Sequence, residues 1–246
     1  MQVVLRHKQK LSSIITICMV VVVVLVCVRL GFWQLERGEK KQQQLTTIAQ
    51  IQTHGVMSWS QLLNLPKQWN KTGVLVELKG TLLSEHYWLL DNQVYNGQVG
   101  YDLLALLKPN NDMRAVLVNL GWVRAPLSRD ILPAVVMPQG EFTVKAQIKE
   151  NNLSSFTLED KTSSGDLPKR IQSIDLSFIQ SHTHFPLVNF MAYRQGEGDE
   201  IAIPHYEAVV MSPQKHNAYA VQWFLIAFAC VVVAIFASKK RNKNEK

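Results

Sequence analysis

Two long apolar runs dominate the pattern of hydrophobic and polar residues along this 246-residue chain. Leu11–Leu30 and Ala218–Ala237 each hold 20 residues with few polar members. Twenty helical residues at about 1.5 Å each reach about 30 Å, which is the thickness of the hydrocarbon core of a bilayer. We therefore predict two transmembrane helices and a lipid bilayer as a partner.

The first run has an alternative interpretation as a cleaved signal peptide. The apolar core of such a peptide usually holds about 7–15 residues and is followed by a small-x-small cleavage site. Here the run is longer, and it ends in Arg29-Leu30-Gly31-Phe32-Trp33. The pattern therefore favours an uncleaved membrane anchor.

Basic residues outside the two runs predict the orientation of the helices. Three precede the first run and five follow the second: Arg6, Lys8 and Lys10, then Lys239, Lys240, Arg241, Lys243 and Lys246. Because basic residues favour the cytoplasmic side, both termini are predicted to be cytoplasmic and the segment between the runs to lie across the membrane. The ten-residue N-terminus is too short for a mitochondrial presequence, which favours a bacterial inner membrane and a periplasmic domain.

These predictions divide the chain into five parts. They are a cytoplasmic N-terminus (1–10), a first transmembrane helix (11–32), a periplasmic β-rich domain with a helical stalk (33–217), a second transmembrane helix (218–237) and a cytoplasmic basic tail (238–246). The stalk is predicted over Trp33–Gln52, where polar residues surround apolar ones at helical spacing.

Alternation of apolar and polar residues predicts β-strands in the central segment. Val74–Lys79 and Phe142–Ile148 alternate with a period of two, which is typical of a sheet with one solvated face. Asn96-Gly97 supplies two positive-φ residues for a tight hairpin turn between strands at Tyr87–Leu90 and Gly100–Leu107.

Further turn and capping signals extend this pattern. Pro109–Asp112 is a second turn, and it leads into a third strand, Ala115–Val123, which completes an antiparallel meander. A short helix is predicted over Asp175–Ser181, with its first residue as N-cap, and a last strand over His205–Met211. Because strands outnumber helices without a βαβ rhythm, we predict an α+β, mainly antiparallel β domain, barrel- or sandwich-like, flanked by two transmembrane α-helices.

Charge and cysteine content exclude several classes of function. The segment from Trp33 to Asn217 holds 17 Lys/Arg and 18 Asp/Glu, a net charge of −1, whereas the two ends together carry +8. Since the folded segment lacks a basic surface, we predict no binding to nucleic acid. All three cysteines, Cys18, Cys27 and Cys230, lie in the apolar runs, which excludes a disulfide framework or cysteine-based metal site in the central domain.

Motifs of common enzymes are missing from the sequence. It holds no GxSxG, Walker, HExxH or GxGxxG motif, so we predict that the protein is not an enzyme. A periplasmic hydrolase is the weaker alternative, because no motif pairs a nucleophile with a base. His182 and His184 are two residues apart and would point apart on a helix, which does not favour a shared metal ion.

The start of the second span carries the most specific candidate site. Ser212-Pro213 is typical of a helix start, and it places His216 in the first turn. At about 100° per residue, Tyr219 and Trp223 share one stripe with this histidine. Four small residues continue the stripe: Ala220, Ala227, Cys230 and Ala234. Small residues allow another helix or a flat ligand to approach the backbone closely.

Two interpretations of this stripe remain open. In the first, Tyr219 and Trp223 are interfacial belt residues and His216 is a hydrated residue at the helix start. In the second, His216 is the axial ligand of a haem iron, and the stripe is an apolar slot that leaves the haem carboxylates near water. Gly31 and Trp33, at the end of the first span, would then belong to the same site; otherwise they are ordinary interface residues.

Four segments together resemble the surfeit locus protein 1 family of cytochrome c oxidase assembly factors. They are Leu30-Gly31-Phe32-Trp33-Gln34 at the end of the first span, Gly100–Val123 in the central strands, Arg170–Leu176, and Met211–Phe224 at the start of the second span. The resemblance runs from the first span to the second in order. The main departures are a polar stretch, 151–166, and a reduced loop, 196–203.

The resemblance implies a role in assembly. It implies that the protein assists insertion of haem a into subunit I of cytochrome c oxidase, with that subunit and a haem a synthase as partners. In bacterial members, the histidine at the start of the second span is proposed to bind haem a, and the matching residue here is His216. The alternative is a membrane scaffold that stabilises an oxidase assembly intermediate without binding haem.

Overall fold

The computed structural model describes residues 2–128, 130–151, 153, 169–198, 201–209 and 211–244, with side chains between 14 and 239. Most of the polar stretch 151–166 therefore lies outside the described residues. The elements in chain order are α1 (Gln2–Gln52), β1 (Val56–Ser58), α2 (Trp59–Leu63), β2 (Leu75–Tyr95), β3 (Gln98–Pro109), β4 (Ala115–Arg124), β5 (Glu141–Lys149), β6 (Lys169–Ile171), α3 (Leu176–Gln180), β7 (Leu187–Arg194) and α4 (Pro213–Asn244).

The chain divides into a helical unit, 1–46 with 209–246, and a β unit, 47–208. Two helical segments are long and apolar enough to cross a membrane, Ile14–Gln52, whose last six residues are counted in the β unit, and Pro213–Lys239. Large apolar side chains are exposed along both: Leu25 is 63% exposed and Phe228 67%. Apolar surface of this kind is normally buried in lipid or protein, so the helical unit has the character of a membrane-embedded pair.

Helix α1 continues without a break through Trp33–Gln52, so the helix predicted over this segment is present. Helix α4 begins at Pro213, as predicted, and the backbone N–H of Lys215 donates to the Ser212 Oγ atom over 3.4 Å. Proline fits the first helical position because its missing N–H would have no partner inside the helix. These two local signals fix where the second helix begins.

The β unit is built on a ring of five strands. Strands β2, β3 and β4 form the predicted antiparallel meander, and β7 pairs in parallel with β4. Strand β5 pairs with β7 and returns to the first half of β2, so the hydrogen-bonded order β2-β3-β4-β7-β5 closes on itself. Strands β1 and β6 add parallel pairings to β2. The predicted barrel-like, mainly antiparallel domain is confirmed.

The predicted turns adopt the required backbone conformations. Asn96 and Gly97 have φ of 48° and 74°, and Asn111 has φ of 62°. Asparagine and glycine tolerate this left-handed region best. Asp175 caps α3, since its side chain accepts from the backbone N–H of Ser177.

Two hydrophobic clusters lie on opposite faces of the strands. Alternate residues of all five ring strands, such as Leu78 and Leu103, form one cluster inside the ring. The other face of β2, β3, β4 and β7 packs beneath β6 and α3 around Trp88, which is 0% exposed. Strand β3 is thus buried on both faces, and this explains its nearly continuous apolar run, Leu103–Leu107.

The predicted strand at His205–Met211 is wrong. None of the described residues of this segment is paired in a strand. A single bridge, between Ile203 and Trp122, lies just before the segment. Pro204 has no N–H to continue a ladder, and the His205 side chain turns toward Asp102. Strand β7 takes the place in the sheet beside β4.

Two further strand predictions need adjustment. The strands predicted at Val74–Lys79 and Tyr87–Leu90 are parts of one long strand, β2, which begins at Leu75 and whose register with β3 shifts between Leu82 and Tyr87. The alternation predicted over Phe142–Ile148 is confirmed up to Ala146, since Val144 and Ala146 are buried while Thr143 and Lys145 are exposed. It fails at Gln147, which is 5% exposed instead of facing solvent.

Candidate functional site

His216 lies in the first turn of α4 and is 9% exposed. Its Nδ1 atom is 2.8 Å from the side-chain oxygen Oε1 of Gln34 on α1. The two residues are 182 positions apart in the chain. A side-chain hydrogen bond therefore connects two of the segments on which the family resemblance rests, Leu30–Gln34 at the end of the first span and Met211–Phe224 at the start of the second.

Glycines on both sides of Gln34 bring the two helices together. A Cβ atom on Gly38 would lie 2.8 Å from Asn217 Oδ1 and 3.4 Å from His216 Cβ. A Cβ atom on Gly31 would lie 2.6 Å from Cε1 of Phe224. Gly31, Gln34 and Gly38, spaced by three and four residues, share one helix face, which we call the α1 contact face. Glycine lowers helix stability by about 1 kcal/mol relative to alanine, and here it permits close packing.

The other members of the predicted α4 stripe differ in exposure. Ala220 and Ala227 are buried, at 0% and 5% exposed. Trp223 is half-buried and Tyr219 is 45% exposed. The structure thus buries two of the four small residues of the stripe, leaves Cys230 and Ala234 half-buried, and leaves the tyrosine exposed.

Aromatic and cationic groups surround the end of the first span. Trp33 is 41% exposed, and the Arg37 guanidinium lies 5.6 Å from the centre of its ring. Phe32 packs edge-on against Phe224, with 5.4 Å between ring centres. Gly31, predicted as a point of close approach, is covered by this Phe224 ring. Trp33 and Tyr219 are the two predicted site aromatics with the most exposed surface.

The donor set around His216 fits a single axial ligand. Among the described residues, no group of three or more His, Cys, Asp or Glu side chains is placed to hold a metal ion. One imidazole suffices where a macrocycle already supplies the other ligands to the iron. Nδ1 is engaged by an amide oxygen, the arrangement that orients most metal-binding histidines, so the chemistry of this residue fits a haem ligand.

The other predicted histidine pair does not form a shared site. His182 follows α3, its Nδ1 lies 2.9 Å from the Phe178 carbonyl oxygen, and its Nε2 lies 3.0 Å from Lys169 Nζ. His184 is exposed. The two side chains therefore have different surroundings.

A buried polar cluster in the β unit was not predicted. Asp102 on β3 is 5% exposed, and its carboxylate accepts from His205 Nε2 at 2.5 Å and from Asn119 Nδ2 at 2.6 Å. The hydrogen bond and negative charge of Asp102 raise the pKa of His205 despite its burial. Burial has the opposite effect on Tyr193, whose pKa it raises because it disfavours the charged phenolate. The Tyr193 ring stacks on that of Tyr206, with 3.8 Å between the ring centres. An aspartate in an apolar strand was the one sequence signal for this cluster.

Comparison with known families decides the identity of the chain. Residues 21–228 match the SURF1 family. The chain belongs to the SURF1 family. The match begins inside α1 and ends inside α4, so it includes the α1 contact face, the ring of strands and His216. The predicted resemblance to the surfeit locus protein 1 family is confirmed.

The family places this protein in a general role. The SURF1 family is associated with assembly of cytochrome c oxidase, and its members are assembly factors rather than catalysts. An oxidase is therefore the partner class that the family indicates. A search of curated proteins gave no match to this chain.

Proposed function

We propose that this protein assists insertion of haem a into subunit I of cytochrome c oxidase and that it holds haem a transiently through His216. Haem a would be cargo, handed from a haem a synthase to the oxidase, and the protein itself would catalyse no reaction. The site would consist of His216 with Tyr219, Trp223, Trp33 and Gly31. His216 would supply the imidazole that binds the haem iron.

The observation that carries this proposal is the polar contact between His216 and Gln34. A histidine at 9% exposure in the first turn of an apolar helix is costly unless its ring nitrogens have partners. Here one ring nitrogen has a fixed partner at 2.8 Å. A buried imidazole with one fixed hydrogen-bond partner favours a role as a ligand over the alternative, in which His216 is a hydrated residue at the start of the helix.

Neighbouring groups support an amphipathic ligand. Trp33 and Tyr219 present exposed aromatic surface in the same unit. The cations Arg37 and Arg29 lie one turn beyond and one turn before Trp33 on α1, where they would pair with the haem carboxylates. Gly31 would contribute by allowing Phe224 to pack against α1.

The proposal includes a location. We place the protein in the inner membrane of a bacterium, with both termini in the cytoplasm and 33–217 in the periplasm, following the basic residues outside the spans. The β unit would then contact the oxidase subunit or the haem a synthase on the periplasmic side. Reporter fusions within 33–217 and at both termini test this arrangement, and a cytoplasmic central segment would contradict it.

Spectroscopy of the purified full-length chain tests the haem role. Protein co-expressed with a haem a synthase should carry haem a, and His216→Ala should abolish or shift its absorption bands. His184→Ala, which changes an exposed histidine, is the matched control and should leave the bands as they are. Bands that are unchanged in His216→Ala would refute the ligand role.

A deletion strain separates haem transfer from scaffolding. Loss of assembled oxidase with intact haem a synthesis supports the assembly role in either form. If the deletion has that effect but the wild-type protein never carries haem, the protein is a scaffold for an assembly intermediate. Normal oxidase in the deletion strain would contradict the proposed function as a whole.

A further inference from the structure

The surroundings of His216 specify more than its position, because they constrain which ring nitrogen carries the proton. Its Nδ1 atom faces the carboxamide oxygen of Gln34 at 2.8 Å. A carboxamide oxygen only accepts hydrogen bonds. In a neutral imidazole facing this oxygen, Nδ1 must therefore be the protonated nitrogen and Nε2 must hold the free lone pair.

The packing of α1 supports this contact from a second direction. A Cβ atom on Gly38 would lie 3.4 Å from His216 Cβ and 2.8 Å from Asn217 Oδ1. The backbone of α1 thus passes close to the start of α4 one helical turn beyond Gln34. The base of the His216 side chain therefore lies against α1, on the helix face that also carries Gln34.

We propose that Gln34 is a positioning residue, which holds His216 in the Nδ1–H tautomer and so leaves the Nε2 lone pair for iron. The inference rests on the proposed function for its ligand, but the tautomer itself is a property of the haem-free protein. Hydrogen bonding at the second ring nitrogen fixes orientation and raises the basicity of ligating histidines in other proteins. Gln34 would act through His216 without touching the haem iron.

Nitrogen NMR of the haem-free, full-length protein in detergent tests the tautomer directly. At pH 8, where histidine side chains are ordinarily neutral, the two ring nitrogens of His216 should give the pattern of an Nδ1–H imidazole. The His216 signals are those missing from His216→Ala. Gln34→Leu removes the acceptor and should shift His216 toward the Nε2–H form, whereas Gln34→Glu keeps an acceptor and should preserve Nδ1–H.

A matched variant controls for general effects on α1. Gln42→Leu makes the same chemical change at an exposed position of that helix, and it should leave the His216 signals unchanged. An Nε2–H pattern in the wild type, or the same tautomer in the wild type and Gln34→Leu, would overturn the inference. Altered signals in Gln42→Leu would also overturn it, because the tautomer would then respond to α1 as a whole.

Haem titration of the same variants separates this inference from the proposed function. Gln34→Leu should weaken haem binding by about 10- to 100-fold, the usual effect of losing a hydrogen-bond partner of a ligating histidine, and Gln34→Glu should largely restore it. If His216→Ala abolishes binding but Gln34→Leu binds as the wild type does, the positioning role fails and the proposed function stands. If Gln34 sets the tautomer but binding is independent of His216, the proposed function fails.

Discussion

Replacing His205 with alanine removes one partner of the buried Asp102 carboxylate. In the native protein this carboxylate accepts from His205 Nε2 at 2.5 Å and from Asn119 Nδ2 at 2.6 Å. Asn119 in turn accepts from the backbone N–H of Gly121. Because Ile203 is bridged to Trp122, next to that glycine, the substitution tests whether this cluster ties the 203–205 segment to β4.

The magnitude follows from the contacts that are lost. A hydrogen bond to a charged group contributes about 1.5–3 kcal/mol, and the edge contact of the His205 ring with Tyr95, at 5.8 Å, adds about 0.5–1.5 kcal/mol. The Asp102 side chain is 7% exposed but keeps its bond from Asn119, so part of the loss is offset. We expect His205→Ala to lower the free energy of opening this segment by about 2–3 kcal/mol.

The effect should depend on pH in a defined direction. The hydrogen bond and charge of Asp102, with the charge of Glu207, raise the pKa of His205 in the folded protein, against the opposing effect of burial. A raised folded pKa means that the stabilisation is fully present below the unfolded pKa of about 6.5 and is lost as pH rises through the folded value. The difference between wild type and His205→Ala should therefore be larger at pH 6 than at pH 9.

Hydrogen exchange of the full-length protein measures this opening locally. The Trp122 and Ile203 amides donate to each other's carbonyl oxygens at 2.7 and 2.8 Å. Since about 1.4 kcal/mol is a tenfold change in an equilibrium, 2–3 kcal/mol predicts exchange roughly 30- to 150-fold faster at both amides in His205→Ala. His184→Ala, at an exposed histidine of the same unit, is the control. Less than a threefold change, or an effect equal at pH 6 and pH 9, would refute the reasoning.

Three further predictions concern other contacts. Gly31→Val would place a Cβ atom 2.6 Å from Cε1 of Phe224. Overpacking of this kind should lower the free energy of unfolding by about 1–3 kcal/mol, seen as a lower thermal midpoint of the helical signal, and Phe224→Ala in the same chain should recover most of the loss. Lys71→Met would remove the ammonium group beside the Glu150 carboxylate, where the two side chains are 9% and 12% exposed. The carboxylate keeps its hydrogen bonds from the Lys71 backbone N–H and from Asn189 Nδ2, so the variant should cost about 1.5–3 kcal/mol in urea unfolding, and less when Glu150→Gln is added. Hydrogen bonds from Arg114 lower the pKa of Asp112 to about 2. The stabilisation by this carboxylate is therefore present above its ordinary pKa of 3.8 and is lost as pH falls toward 2. Asp112→Asn should be less stable than wild type in urea at pH 7 but not at pH 2.

Local signals in the sequence accounted for much of the fold. The Asn96-Gly97 turn, the Asp175 cap and the Ser212-Pro213 helix start each depend on residues within a few positions, and each is present in the structure. The strand predicted at His205–Met211 failed because apolar content alone does not decide pairing. There Pro204 cannot donate, and a bond to a residue 103 positions away directs the histidine elsewhere.

The candidate site, like the fold, was predictable from the sequence only in part. The pattern of residues alone determined two apolar spans, the position of His216 in the first turn of α4 and the family that these segments resemble. Only the tertiary structure paired His216 with Gln34, buried Asp102 beside His205, and closed the ring by returning β5 to β2. The physical reason is distance along the chain: caps, turns and helical periodicity act between near neighbours, whereas a bond spanning 182 residues exists only after two helices have packed.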